Sequence, residues 1–243
     1  MALEFTTTEE LTDVSGIKVL AYSESGAGKT VLCATAPAPI MLMAEGGALS
    51  LREANLKRIF GDDLEAAGIT SNIPTIIIST VKDLEDAYEW LTSAKEMEQF
   101  ETICLDSFTE IAEKVLVNAK RLAKDPRQAY GDMAEKMIEL AKKFRDIPGK
   151  NVVFLAKMEK SKDEVSGIML YGPMMPGKQT GPQLPYLFDE VFRMGVGKEK
   201  DGTIYRFVQT GADMQYTAKD RSGALDPIEY PHLGMIFNKI KGI

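Results

Sequence analysis

"YSESGAGKT", residues 22–30, decides how the rest of the chain is read. It continues "IKVLA" (17–21), so that "IKVLAYS" reads as a short buried strand. It leads into "KTVLCAT" (29–35), which reads as a helix stopped by "APAP". A glycine-rich turn between a strand and a helix N-terminus aims several backbone N–H groups at one place, and that is an anion site. A lysine after the last glycine adds a point charge for phosphate, and the hydroxyl beside it can ligate a divalent cation. Gly26, Gly28, Lys29 and Thr30 meet those demands. The candidate cradle is Ser23, Glu24, Ser25, Gly26, Ala27, Gly28, Lys29, Thr30 and Val31. Ser23 stands where such loops open with glycine; serine is also small and common in turns, so the exchange is a modest defect.

Outward from this loop, strand-like and helix-like segments alternate. "IMLMAE" (40–45), "TIIIST" (75–80), "FETICLD" (100–106) and "KNVVFLAK" (150–157) read as apolar strands. Amphipathic stretches such as "VKDLEDAYEWLTSAKEM" and "SFTEIAEKVLVNAKRLAK" lie between them. A polar break, "DPRQAYGD" (125–132), precedes helical "MAEKMIELAKKFRDI". Such alternation predicts an α/β fold with a mostly parallel central sheet flanked by helices. Residues 158–185 hold four glycines and four prolines, which predicts a mobile, irregular loop. "LFDEVFRMGVG" and "TIYRFVQTG" around "KEKDG" predict a C-terminal antiparallel hairpin. No linker divides the chain, so one domain is expected over 1–243, with an N-terminal extension over 1–16.

A chain of 243 residues should bury roughly 70–75% of its unfolded surface, without a disulfide or metal staple. Its two cysteines, Cys33 and Cys104, sit in apolar surroundings and read as buried free thiols of a reducing cytosol. The first residues lack a basic-then-apolar leader, and no apolar run approaches 18 residues, so a soluble, intracellular protein is expected. The net charge of −7 argues against a constitutively basic nucleic-acid coat and leaves room for one local positive groove. His232 reads as structural and Trp90 as core. The thirteen methionines suggest adaptable packing or a subunit face.

Two carboxylates complete the chemistry. Asp106 ends the strand "FETICLD", where a carboxylate can hold the water shell of Mg2+. Glu45 ends "IMLMAE", at the edge of a parallel sheet that faces the ligand crevice, and can polarise a water for in-line attack.

"SESGAGKT", "MLMAEGGALSL" and "ICLDSFTEI", in that order, resemble the RecA-type core of P-loop ATPases. "PGKQTGPQLPYLFDEVFRM" and "AKDRSGAL" narrow the resemblance to the bacteriophage RecA-like single-strand annealing ATPases, over Lys18 to about Lys241. The resemblance implies a RecA-like P-loop fold, ATP and Mg2+ as cofactors, and Lys29 and Thr30 on the phosphates and metal. It implies Asp106 as metal support and Glu45 as catalytic base. RecA-type cores often end the strand of "VVFLAK" in an amide that senses the γ-phosphate; Lys157 stands there instead. In "AKDRSG", Lys219 and Arg221 alternate on an extended segment and project to one face. They resemble the Lys-x-Arg pair that reaches the γ-phosphate of a neighbouring subunit, so a homo-oligomer, ring or filament, is implied, with ATP at the interfaces.

The same resemblance places two DNA loops. The first is "LAKDPRQAYGDM" (122–133), with Lys120, Arg121, Lys124 and Arg127 for phosphates and Tyr130 for base stacking. The second follows Lys157 and offers Lys160, Lys162, Tyr171 and Lys178. The implied function is a DNA-stimulated ATPase of DNA recombination that binds single-stranded DNA and anneals complementary strands in the cytoplasm of an infected bacterium. A single-strand DNA-binding protein is its implied partner, and no membrane is involved. A helicase- or loader-type motor, and an assembly module with incidental hydrolysis, remain alternatives.

Overall fold

Successive residues of strand β1 (Lys18–Ser23) point to opposite faces of the sheet, so Val19 and Ala21 enter one core while Leu20 and Tyr22 enter another. All four are fully buried, which is why the segment is apolar without a break. A computed structural model describes Thr7 and residues 16–242; the expected extension over 1–16 lies, apart from Thr7 and Gly16, outside the described residues.

The chain runs β1, α1 (Lys29–Cys33), β2 (Pro39–Met43), α2 (Glu53–Phe60), β3 (Thr75–Ile77), α3 (Val81–Ser93), β4 (Thr102–Asp106), α4 (Phe108–Leu122), α5 (Pro126–Arg145) and β5 (Asn151–Lys162). It continues through β6 (Met169–Pro173), a short α6 (Thr180–Gln183), β7 (Glu190–Lys198), β8 (Ile204–Gln209), β9 (Lys219–Asp220), β10 (Ile228–Glu229) and α7 (Leu233–Lys241). The sheet order is β10-β8-β7-β1-β5-β4-β2-β3. Pairings from β7 to β3 are parallel, whereas β8 and β10 add antiparallel strands at one edge. The α/β class, the mostly parallel sheet and the antiparallel C-terminal hairpin expected from the sequence are all present.

One core face packs Phe108, Phe144, Phe154 and Phe188 against the sheet, with Phe154 centred 4.5 Å from Phe108 and 4.9 Å from Phe188. The other joins Cys33 and Cys104, both free and buried, to Phe192, Val208 and Phe237. His232 is structural, as expected: Nδ1 accepts the Met235 N–H at 3.1 Å, capping α7, and Nε2 lies 2.8 Å from the Ala67 carbonyl. Trp90 is not core; 36% of it is exposed, on the wet side of α3.

Two expectations about loops are corrected. Residues 125–132 are not a break: Asp125 caps a helix whose first residue is Pro126, its Oδ1 accepting the Arg127 N–H at 2.8 Å. An aspartate before a proline is a helix start, since the fixed φ suits the first turn and the missing N–H is not needed there. Only Ala123–Asp125 separate α4 from α5. Nor is 158–185 irregular throughout. β5 runs on past Lys157, the last residue paired to β1, and Met158–Lys162 pair antiparallel with β6. Gly167 falls between these strands and Pro176 and Gly177 fall after β6, while Gly172 lies inside β6 and Pro173 at its end, where a missing donor costs little.

Candidate nucleotide-binding site

The loop after β1 turns through two glycines that need left-handed backbone, Gly26 at φ +80° and Gly28 at φ +101°, and Gly28 caps α1. Ser23 needs no such freedom, because Ala38 alone among the described non-glycine residues has a positive φ. The serine in the opening position is therefore accommodated without strain and is 1% exposed. Its hydroxyl donates to the Glu24 carbonyl at 2.8 Å. Lys29 Nζ folds back onto the loop mouth, donating to Ser23 O and Ser23 Oγ at 3.1 Å and to Glu24 O at 3.2 Å. Burial pulls the Lys29 ammonium below its usual range, opposed by the charges of Asp106 and Glu45.

Asp106 is two strands away from β1, with β5 between them. The loop arches across that gap, and Thr30 Oγ1 donates to Asp106 Oδ2 at 2.6 Å. Ser107, not Asp106, caps α4, accepting the Glu110 N–H, so the Asp106 carboxylate is free for the threonine. It is 1% exposed. Burial pushes its carboxyl up, opposed by the Thr30 hydroxyl and Lys29 and reinforced by Glu45. A buried carboxylate against a hydroxyl, facing open cleft, is the donor set a hydrated Mg2+ takes, and these two side chains could hold it.

Glu45, half-buried after β2, lines the same cleft as Lys29, Thr30 and Asp106. Gly47 closes the metal side: a Cβ there would sit 3.1 Å from Thr30 Oγ1 and 3.5 Å from Asp106 Oδ2. Lys157 also lines the cleft, opposite Ser23 in register, and its ammonium is paired with Glu110. That hydrogen bond first, then the charges of Glu110 and Glu113, hold the Lys157 ammonium above its usual range. Its backbone N–H donates to Thr109 Oγ1, which in turn donates to the Met174 carbonyl, each at 2.9 Å. The middle of β5, where its pairing passes from β1 to β6, is thus tied to both α4 and the residue after β6.

The cleft measures about 1300 Å3 and extends past the phosphate loop to Ile204, Tyr205, Arg206 and Tyr230. That is room for a whole nucleoside triphosphate, above the span of most small-molecule pockets. Arg206 was missed by sequence reasoning. Its Cδ and Nε lie 3.3 and 3.4 Å from where a Gly28 Cβ would be, and its guanidinium forms no hydrogen bond or ion pair among the described residues. Nothing in "TIYRFVQTG" signals this, because the β7–β8 hairpin reaches the loop only through the tertiary fold.

Lys219 and Arg221 are not brought to the cleft. β9 pairs with the start of β7, Glu190 opposite Asp220, and Glu190 aligns with Val19 near the N-terminal edge of β1. The Lys219 ammonium donates to the Pro185 carbonyl at 2.7 Å and to that of Phe188, and Arg221 Nη1 pairs with Asp189 at 2.9 Å. Both cations do face the same 185–189 segment, as their alternation required. Within one chain they lie at the opposite end of the sheet from the phosphate cradle.

The candidate DNA residues separate into two groups. Arg127 and Tyr130, on the first turns of α5, line a groove of about 400 Å3 with Lys178, Gln179 and Thr180. Lys120 stacks over the Tyr130 ring at 5.1 Å. Thr180 Oγ1 is buried there without a hydrogen-bond partner among the described residues. Arg121 and Lys124 are exposed outside that groove, while Lys160 and Lys162 lie on the β5 extension, Lys160 over Tyr171 at 5.8 Å. α5 spans roughly 30 Å at its 20 residues. It ends beside Ile147, whose carbonyl accepts from Lys18 at the N-terminal edge of β1, so its first turns overhang the opposite edge. Groove, hairpin and phosphate cradle thus share the C-terminal end of the sheet.

A glycine cradle after the first strand, with a lysine at its mouth and a threonine–aspartate pair beneath, defines a P-loop nucleotide-binding ATPase domain. Residues 15–222 match the family described as AAA domain, and the chain belongs to that family. No curated protein matches it. Among solved structures, a KaiC-like protein of the hyperthermophilic archaeon Pyrococcus horikoshii OT3 is 15% identical, covering 80% of this chain and 77% of that one with a TM-score of 0.38. No helix among the described residues is long and apolar enough to cross a membrane.

Proposed function

We propose that the chain is a Mg2+-dependent, DNA-stimulated ATPase of DNA recombination that binds single-stranded DNA and promotes pairing of complementary strands. The observation that carries the nucleotide half is the Thr30–Asp106 pair beneath the loop, with Glu45 in the same cleft. Lys29 exchanges the carbonyls of Ser23 and Glu24 for the β- and γ-phosphate oxygens. Glu45 accepts a proton from a water aimed at the γ-phosphorus. Thr30 and Asp106 hold Mg2+, which when bound supplies charge neutralisation on the phosphates. Arg221 of an adjacent copy in a homo-oligomer contributes the second cation, since its own chain keeps it far from the cleft. Lys219 is taken up by backbone carbonyls and supports that turn rather than reaching out.

The DNA half rests on the convergence of Arg127, Tyr130 and Lys178, drawn from two separate segments, on one groove. A cation pair beside an exposed aromatic ring suits sequence-tolerant binding of a single strand. The phage annealing lineage is supported by the sequence resemblance alone, as is a single-strand DNA-binding partner.

ATP turnover with and without single-stranded DNA, on wild type, Lys29→Ala, Glu45→Gln and Arg221→Ala, tests this function. Expected are loss of turnover by at least roughly 100-fold in the first two variants and a protein-concentration-dependent loss in the third. Turnover indifferent to DNA and to Arg221→Ala would remove the DNA and shared-site parts. Duplex unwinding in place of annealing would make the protein a motor.

A further inference from the structure

Glu190 opens β7 inside the sheet, flanked by Val19 of β1 and Asp220 of β9, and is 1% exposed. Backbone N–H groups of Arg221 and Ser222 serve its carboxyl, yet Oε2 has no hydrogen-bond partner among the described residues. Asp220 stands directly opposite it across the β7–β9 pair and is already wrapped by its own turn. Asp220 Oδ1 accepts from Ser222 Oγ at 2.6 Å and Gly223 N at 3.0 Å, and Oδ2 accepts from Leu225 N at 3.0 Å. Other charged groups nearby are taken: Lys219 by two carbonyls, Arg221 by Asp189, and Lys18 of β1 by the carbonyls of Ile147 and Lys150. Among the described residues, no cation therefore forms an ion pair with either carboxylate.

A buried carboxylate facing a second, half-buried one resists ionising; a proton between them turns repulsion into a charge-assisted O–H···O bond. The donors around Asp220 decide which keeps the charge. Despite its burial, the Ser222 hydroxyl and the backbone N–H groups hold the Asp220 carboxyl below its usual range. Burial first, then the Asp220 charge, pushes Glu190 up to about 7.

We propose that Glu190 and Asp220 share one proton, and that this proton fastens the Lys219–Leu225 turn, with Arg221 at its exposed corner, to strand β7. When the proton leaves, two carboxylates face each other across the β7–β9 pair and the turn loosens, so the pose of Arg221 depends on pH around neutrality. The clasp needs no nucleotide, so its failure and that of the ATPase reading are separable.

The native chain holds this proton more tightly than the unfolded chain, where glutamate titrates near about 4.3. Its contribution is fully present below that value and is lost as pH rises through about 7. Glu190→Gln keeps a donor for Asp220 at every pH. Between about pH 5.5 and 8.5, the melting temperature of the wild type should fall by several degrees relative to Glu190→Gln. Amide exchange at residues 221–225, compared between the two proteins, should rise only in the wild type. Parallel melting curves and equal exchange would overturn the proposal. Should the variant not fold, the carboxyl-carbon shift of Glu190 in the wild-type chain decides: a midpoint near neutrality supports the clasp, and one below about pH 5 sinks it.

Discussion

Thr30 and Asp106, separated by 76 positions in sequence, meet in a 2.6 Å hydrogen bond that spans the intervening strand β5. The bond fixes the first turn of α1 over the second parallel neighbour of β1. It leaves the two oxygens a metal ion would share side by side before any nucleotide binds. Preformed positioning of this kind lowers the ordering needed on ligand binding.

Asp106→Asn should separate stability from function. Burial raises the Asp106 carboxyl, so the proton is held more tightly in the native state than in the unfolded one. The stabilisation that proton gives is present below the unfolded carboxylate range and lost as pH rises through the raised folded value. Near neutrality the buried charge therefore works against the fold, and asparagine relieves it while still accepting from Thr30. Differential scanning calorimetry without ligand should give the variant a melting temperature equal to or above wild type. With Mg-ATP, only the wild type should gain further stability. A variant that melts lower without ligand contradicts this account.

Gly47→Ala tests the metal side alone. At φ −87° and ψ −6° alanine fits the backbone, but its Cβ presses on Thr30 Oγ1 at 3.1 Å. Titration with a fluorescent ATP analogue should show Mg2+-dependent affinity falling roughly ten-fold, about 1.4 kcal/mol. Affinity measured in excess chelator should change little. Equal losses under both conditions would move the effect from metal to phosphate.

Arg206→Ala removes an exposed cation whose guanidinium packs beside Gly28 and makes no hydrogen bond or ion pair among the described residues. Stability should stay within about 0.5 kcal/mol. Nucleotide affinity should fall roughly ten-fold, the size of a lost charge-assisted contact. An unchanged dissociation constant for both ATP and ADP would take Arg206 out of the site.

Lys178→Ala and Tyr130→Ala should weaken single-stranded DNA in different ways. Loss of one phosphate contact flattens the log–log salt dependence by roughly 0.7. Loss of a stacking ring lowers affinity by about 1–3 kcal/mol without altering that slope. Fluorescence anisotropy over a salt series reads both. Two variants indistinguishable from wild type would leave the groove without a DNA role.

Local chemistry and apolar patterning determined much on their own. The cradle at 23–31 was legible because glycine, lysine and threonine at fixed spacing act through backbone N–H groups and short side chains that need no distant partner. The parallel strands were legible because burial on both faces demands unbroken apolar runs. Asp125-Pro126 is a helix start that its polar surroundings disguise as a break, and the glycines and prolines of 158–185 mask the β5 extension and β6. What only the tertiary structure decided is whatever depends on strands far apart in sequence lying side by side. It set Thr30 against Asp106, hung Arg206 over Gly28, placed Lys178 beside Tyr130, and sent Lys219 and Arg221 to the far edge. Sequence specifies which groups can interact within a turn or a strand; sheet order and register determine which distant ones do.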